Sequence, residues 1–183
     1  MWSSAARGPD GSVPPLRIGS AISRLTTRAL TFVSSTSRIS TSLYDEPRHP
    51  ALQQYEHEHT KRWAASVKSA DAFVFVTPEY NYGPPPSLLN ALNYVYKEWN
   101  YKPAAFVSYG GVSGGMRAVQ MEKLTLTTLK MVPIVEGVLV PMVAQFLDAE
   151  KKFQPSELHL ASAKILLDEL LRWAVALKPL RSS

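Results

Sequence analysis

The sequence predicts an α/β fold in which the parallel strands of one sheet alternate with helices. Two stretches carry this prediction. Residues 72–76 form an apolar, β-branched run that stops at Thr77-Pro78, and a loop, three prolines and an amphipathic helix follow. Residues 104–108 repeat this order of strand, loop and helix about thirty residues later, this time with a Gly-rich loop. Strands that alternate with helices imply a parallel sheet with right-handed crossovers.

The helices are predicted from apolar spacing and from their flanking residues. We expect the first to run to Ser69, with Trp63 and Val67 four residues apart on one face. The helix that follows the three prolines carries an apolar stripe, since proline suits a helix's first turn. The members of that stripe are Leu88, Leu89, Leu92, Val95 and Tyr96.

The carboxyl-terminal half continues the alternation. A helix is predicted from Met116 to Met131, ended by Pro133, and residues 134–140 form another β-branched strand. Ser156 is the expected cap of a final helix. The apolar face of that helix is predicted to consist of Leu158, Ile165, Leu166, Leu170 and Trp173.

Composition narrows the classes of protein to be considered. The chain has 183 residues, enough for one domain with a sizeable core, and 45% of them are hydrophobic. It contains no cysteine, which excludes disulfides, a thiolate nucleophile and a Cys-built zinc site. No apolar run approaches the roughly 20 residues that a membrane helix needs. We therefore expect a globular protein that does not insert into a membrane.

The positive charge belongs to the amino-terminal segment. The formal net charge is +5, but residues 1–43 hold five arginines and one acidic residue and so account for +4. Residues 44–183 are nearly neutral, which argues against a nucleic-acid partner. We divide the chain into an atypical basic, Ser-rich segment (1–43) and the domain proper (44–183).

Residues 1–43 contain no clean strand and some helical periodicity between Leu16 and Val33. An Arg-rich, Ser-rich, acid-poor composition is typical of an organelle transit peptide. A divergent terminus is an equal alternative. We expect a cytoplasmic protein, with organelle targeting by this segment left open.

The run Glu56-His57-Glu58-His59 suggests a metal site at first sight. On a helix, however, residues two apart point about 200° apart, so the two imidazoles would not share an ion easily. We interpret the run as a solvated helix face and predict no metal.

The loops that follow the two principal strands are the candidate site. In open α/β sheets, ligands bind outside the carboxyl ends of the strands, so loops on neighbouring strands should line one cleft. Neither loop offers a nucleophile with a nearby base or a pair of carboxylates, and we predict no catalytic side chain. A flavin, which brings its own chemistry, fits such a site. The Gly-rich stretch 110–115 could also hold a phosphate, since it precedes a helix, but it lacks the Walker and Rossmann spacings.

Two motifs, TPEYNYGPPPSLLNAL and KPAAFVSYGGVSGG, resemble the NAD(P)H-dependent FMN reductase family, which includes flavodoxin-like quinone and azo-dye reductases. The resemblance covers about residues 44–177. It implies a flavodoxin-like, doubly wound parallel sheet in a single domain. It also implies cofactor contacts, made largely through backbone by the first loop: Pro78, Glu79, Tyr80 and Asn81, with Tyr109, Gly110, Gly111 and Ser113 at the other edge of the flavin.

The resemblance further implies an enzyme that transfers a hydride from NAD(P)H through bound FMN. The acceptor would be a quinone, azo compound, free flavin or similar small molecule, and the assembly a homodimer or homotetramer with the flavin near the interface. Tyr82, Trp99 and Tyr101 are candidates to cover the flavin or line that interface, unless they are ordinary helix-end aromatics. Arg117 is a candidate for a nicotinamide phosphate.

The sequence departs from the family pattern at the amino terminus. The family begins with an apolar strand and a loop that cradles the FMN phosphate, whereas this sequence has no apolar strand before residue 16. Residues 17–22 resemble the end of that loop. Whether the chain contains the first strand and the phosphate loop of the family is therefore left open. The segment is interpreted as divergent but folded, as a transit peptide before a truncated domain, or as the product of an altered reading frame or start site.

The alternative function is a non-catalytic, flavin-poor flavodoxin-like protein that acts through dimerisation, with a degraded phosphate loop. A one-electron carrier is a third reading, which the near-neutral charge of residues 44–183 disfavours.

Overall fold

The structure is a computed structural model that describes residues 31–34 and 45–181. Four parallel strands form one sheet in the order β1-β2-β3-β4. The strands are β1 (Thr31–Ser34), β2 (Phe73–Pro78), β3 (Pro103–Tyr109) and β4 (Val132–Val140). The α-helices of the described ranges are α1 (Glu58–Ser69), α2 (Pro86–Asn93), α3 (Met116–Thr128) and α4 (Glu157–Leu177).

Strands β2 and β3 form the centre of the sheet and are buried along their whole length. Because successive side chains of a strand point to opposite faces, the two faces build separate cores. Phe73 and Phe75 pack with residues of α1, α2 and α3, whereas Val74 and Val76 pack with α4. Helices on both faces confirm the predicted doubly wound parallel sheet.

Strand β1 corrects our expectation that residues 1–43 contain no clean strand. Residues 31–34 pair in parallel with residues 73–76 of β2. Thr, Phe and Val favour the extended chain of a strand, and this preference prevails over the helical periodicity predicted to include Val33. The rest of that periodicity, and residues 17–22 that resemble the phosphate loop, lie outside the described residues.

The inward face of α4 is only partly the one predicted. Ser156 caps this helix as expected, in a capping box with His159. Leu166 and Leu170 are buried, but Leu158, Ile165 and Trp173 are exposed. The buried stripe takes in small and polar residues beside its leucines. Its other members are His159, Ala163, Leu167 and Ala174.

The two histidines of the EHEH run lie closer together than a continuous helix would place them. Helix α1 begins at Glu58, so His57 precedes it in an extended conformation. The imidazole rings of His57 and His59 consequently stack, with centroids 5.3 Å apart, which corrects our geometric argument. Among the described residues, no group of three His, Cys, Asp or Glu side chains could hold a metal ion.

Helix α3 ends three residues earlier than predicted. Lys130 adopts a left-handed conformation with φ +54°, the kind of position that terminates helices and favours glycine. This end of α3 lies away from the carboxyl edge of the sheet, where the candidate site is found. None of the described helices is both long and apolar enough to cross a bilayer.

Candidate functional site

A cavity of about 580 Å³ opens at the carboxyl edge of β2 and β3, within the size range of small-molecule sites. As predicted, both loops line it, and the first turn of α3 contributes as well. The lining residues are Glu79, Asn81, Tyr82, Gly111, Val112, Ser113 and Arg117. The strands thus bring residues more than thirty positions apart into one cleft.

The first loop is a tight two-residue turn. Tyr80 and Gly83 exchange two backbone hydrogen bonds of 2.9 Å each. The residues between them, Asn81 and Tyr82, have φ of +48° and +71°, as in the type I′ turns that join hairpin strands. Asparagine tolerates this region, but a left-handed tyrosine costs roughly 1–2 kcal/mol. The turn therefore projects Asn81 and Tyr82 into the cavity wall at a conformational cost.

The glycines of the second loop have two different roles. Gly114 and Gly115 have positive φ, and a Cβ atom on Gly115 would approach the Cβ of Ser108 to 2.8 Å. Gly115 is required for the loop to pack against β3, and Gly114 for it to pack against Leu139 at the end of β4. A Cβ atom on Gly111, by contrast, would meet no atom within 4 Å. Gly111 borders open space in the cavity, as expected of a glycine beside a ligand.

The Glu79 carboxylate joins the two loops. The side chain is buried, and its Oε1 accepts hydrogen bonds from Ser113 Oγ at 2.9 Å and from Arg117 Nε at 2.7 Å. Its Oε2 accepts from the backbone N–H of Arg117 at 3.0 Å, and a terminal nitrogen of the Arg117 guanidinium also pairs with Oε1. Burial opposes ionisation, but these hydrogen bonds outweigh it and hold the pKa of Glu79 below its ordinary value.

Glu79 also caps helix α3 from outside the helix. The backbone N–H of Arg117 is among the first donors of α3, which have no partner within the helix. A carboxylate there is favourable because a helix amino terminus attracts negative charge. Since this carboxylate already occupies the amino terminus, we do not assign a phosphate to the Gly-rich loop, which was one of our alternatives.

The ring of Tyr82 stacks on the Arg117 guanidinium. The guanidinium carbon lies 3.6 Å from the ring centroid, a cation–π contact at close range. Arg117 is about half exposed, and Tyr82 is 66% exposed. One wall of the cavity is therefore a layered unit in which Glu79 holds Arg117 and Arg117 supports Tyr82.

The predicted site residues divide into two groups. Glu79, Asn81, Gly111 and Ser113 line the cavity. The other four are not among its lining residues: Pro78, Tyr80, Tyr109 and Gly110. Pro78 is buried at the end of β2, and the Tyr109 ring belongs to the core beneath α4.

The aromatic candidates also divide. Of the three, Tyr82 lines the cavity, whereas Trp99 is completely buried between the sheet and its helices. Tyr101 precedes β3, at the opposite end of that strand from the cavity, and its backbone N–H bonds to Lys130. Val112, which lines the cavity and is 89% exposed, was missed. Its position beside Gly111, within the Gly-rich stretch 110–115, was the available signal.

The donor set fits a flat, polar-edged ligand. The Asn81 side chain, the Ser113 hydroxyl and the open space at Gly111 border the cavity. The lone carboxylate among the lining residues is Glu79, whose oxygens already accept three hydrogen bonds from the protein and form an ion pair with Arg117. It is therefore committed to structure and is poorly suited to shuttle a proton.

Comparison with known proteins gives a consistent result. Residues 20–145 match the family model described as NADPH-dependent FMN reductase. An NAD(P)H-dependent FMN reductase of Schizosaccharomyces pombe is 43% identical over 116 residues, which cover 56% of this chain and 58% of the relative. A quinone reductase of Pseudomonas putida is 38% identical over 80 residues, 40% of this chain and 43% of the relative.

The fold has solved counterparts. The flavoenzyme NAD(P)H:(acceptor) oxidoreductase FerB from Paracoccus denitrificans has a TM-score of 0.68 and covers 88% of this chain and 89% of its own, at 20% identity. At that identity the likeness concerns the fold, which is flavodoxin-like as predicted. The matched part of this chain spans about half the length of the curated FMN reductases.

Proposed function

Because the chain belongs to the NADPH-dependent FMN reductase family, we propose that it is an FMN-dependent oxidoreductase that takes a hydride from NAD(P)H. The observation that carries the proposal is the cavity that both motif loops line at the carboxyl edge of the sheet. Relatives named as FMN reductases and quinone reductases support it.

In this proposal the two loops hold FMN by its flat ring. The first loop contributes Pro78, Glu79, Tyr80 and Asn81, largely through backbone, and the second contributes Tyr109, Gly110, Gly111 and Ser113. Bound FMN supplies the hydride-transfer chemistry. The residues of the chain bind and orient it, exclude water and admit the two substrates in turn, and no side chain acts as an acid–base catalyst.

The acceptor is proposed to be a small molecule such as a quinone, since relatives are quinone reductases. A homodimer is proposed from the family resemblance. Apolar side chains exposed around the cavity support it, because surface patches of this kind mark interfaces. They include Val112, Met116 and Met121. The cytoplasmic location stays a prediction from the sequence.

The first test is titration of the purified chain with FMN, followed by quenching of flavin fluorescence, with NADPH oxidation by menadione in the same sample. Saturable binding and FMN-dependent turnover are expected. Lack of saturation at tens of micromolar FMN would favour the flavin-poor, non-catalytic alternative.

A substitution at Gly111 tests the location of the ligand. Gly111→Val adds bulk where the protein leaves open space, so the free energy of unfolding should stay unchanged while FMN affinity falls about tenfold or more. Ala161→Val, on the exposed surface of α4, adds the same kind of bulk away from the cavity. Equal FMN affinity of the two variants would place the ligand elsewhere.

A further inference from the structure

Tyr82 is held in a conformation that its residue type disfavours. Its φ of +71° lies at the second central position of the Tyr80–Gly83 turn, where type I′ turns prefer glycine. A β-carbon there is strained whatever the surrounding space. Glycine would build the same turn without strain, so the tyrosine side chain must serve another purpose or be a pure liability.

Contacts fix the tyrosine ring from below. The ring lies 3.6 Å from the guanidinium carbon of Arg117, and Arg117 is oriented by Glu79 through its Nε at 2.7 Å. Glu79 is itself buried and held by Ser113 and by the backbone of α3. This chain of contacts runs from the buried end of β2 to the cavity wall, and Tyr82 is its exposed end.

We infer that Tyr82 provides a stacking surface for a planar aromatic ring in the cavity, with Glu79 and Arg117 as its positioning residues. The inference rests on the proposed function, which supplies the ring: isoalloxazine, nicotinamide or quinone. The electron-rich phenol face suits such electron-poor rings in an offset stack. The backbone strain at Tyr82 is the cost of placing an aromatic side chain at this point of the turn.

Three substitutions at one position separate the ring from the strain. Tyr82→Phe keeps both, Tyr82→Ala removes the ring and keeps the strained β-carbon, and Tyr82→Gly removes both. We expect Tyr82→Phe to bind like the wild type and the other two to lose about tenfold in affinity. Without ligand, Tyr82→Gly should unfold at a higher urea concentration than Tyr82→Ala.

The affinity loss identifies which ring stacks on Tyr82. If the Kd for FMN rises and the KM values for NADPH and menadione do not, the surface is assigned to the isoalloxazine. A rise in KM for NADPH or for menadione, with kcat little changed and FMN binding intact, assigns it to that substrate. Unchanged Kd and KM values in Tyr82→Ala overturn the inference, as does a Tyr82→Gly protein no more stable than Tyr82→Ala.

Lys130 supplies a control for backbone strain. It is exposed, has φ +54° and lies at the opposite end of α3 from the cavity. Lys130→Gly should therefore stabilise the protein relative to Lys130→Ala and leave every binding constant unchanged. If Lys130→Gly weakens binding as Tyr82→Gly does, greater backbone freedom explains the loss and the stacking role is wrong.

The positioning role of Arg117 is tested by non-additivity. Arg117→Met should weaken ring binding in the wild type but add little in the Tyr82→Ala background, since Arg117 acts through that ring. Additive losses would overturn the positioning role. A wild-type chain that binds no FMN and does not oxidise NADPH would overturn the proposed function, and with it the stacking role. If the wild type turns over normally and the Tyr82 variants keep its Kd and KM values, the stacking role is wrong and the proposed function stands.

Discussion

Two glutamates beside helix α3 differ in the partners of their carboxyl groups. Glu79 reaches the amino terminus of the helix and accepts hydrogen bonds from Ser113 and Arg117. Glu122 lies in the middle of the same helix, completely buried between Ala118 and Leu126 on its inward stripe. Neither oxygen of Glu122 has a hydrogen-bond partner among the described residues.

This difference sets the charge of each group. Burial opposes ionisation of both, but the donors around Glu79 outweigh it and lower its pKa. Glu122 has burial alone, which raises its pKa from the ordinary 4.5 to about 7. A buried carboxylate is therefore stabilised only where the fold supplies donors for it, and it destabilises the protein where the fold supplies none. Glu79 builds the site, whereas Glu122 weakens the helix behind it.

The largest effect is expected from Glu122→Leu. Leucine fills a similar volume, and at pH 8 the substitution removes a carboxyl group whose raised pKa corresponds to about 3 kcal/mol of lost stability. Urea unfolding should show a gain of about that size. Glu122→Gln, which keeps an unpaired polar group, should gain less. A destabilised Glu122→Leu protein would mean that the carboxylate has a partner that the described residues do not show.

The same group predicts the pH dependence of the wild type. The pKa of Glu122 is higher in the folded than in the unfolded chain, so its contribution is most favourable below pH 4.5 and is lost as pH rises to about 7. The free energy of unfolding should fall across this window by at most about 1.4 kcal/mol per pH unit. The difference between wild type and Glu122→Gln isolates this decline. An equal decline in both proteins would assign it to other groups.

Glu79→Gln should lower the free energy of unfolding, whereas the substitutions of Glu122 raise it. It retains the shape of the side chain but removes the charge that Arg117 and the helix terminus bind, at a cost of about 2 kcal/mol at pH 7. Because the pKa of Glu79 is lowered, its stabilisation is present above pH 4.5 and is lost as pH falls through the folded-state pKa. The variant should thus differ from the wild type at neutral pH and converge with it in acid. A constant difference across pH would refute the charge explanation.

These two residues also show what sequence reasoning reaches. The alternation of apolar strands, loops and helices predicts the sheet, and the PEYN and YGG motifs predict both loops of the cavity. The sequence alone does not reveal that Glu79 accepts a hydrogen bond from the backbone of Arg117, 38 residues later, and so caps α3. Glu122 was not distinguished from the polar residues of its helix, because the face of a helix that is buried depends on its packing.

The prediction missed strand β1 for a related reason. A four-residue strand has little periodicity of its own, and its pairing with β2 is a long-range contact. The exposed Leu158 and Ile165 on α4 show the converse, since the face of this helix that packs on the sheet includes small residues such as Ala163 while these apolar side chains face outward. For α4 the local pattern specified the type of element and tertiary packing specified which residues it buries, whereas for β1 the pairing with β2 specified the element itself.

The smallest effect is expected from Ser113→Ala, which tests whether the Glu79 partners act as a set. It removes one neutral donor from the carboxylate and leaves the Arg117 bonds in place, so about 1 kcal/mol of stability should be lost. Thr127→Ala removes an exposed hydroxyl that bonds within α3 and should change stability far less. In the Glu79→Gln background, the loss from Ser113→Ala should shrink, since a neutral amide oxygen accepts a weaker hydrogen bond than a carboxylate. An undiminished loss would mean that Ser113 stabilises the loop through its own backbone contacts, and that the contrast between Glu79 and Glu122 depends on Arg117 alone.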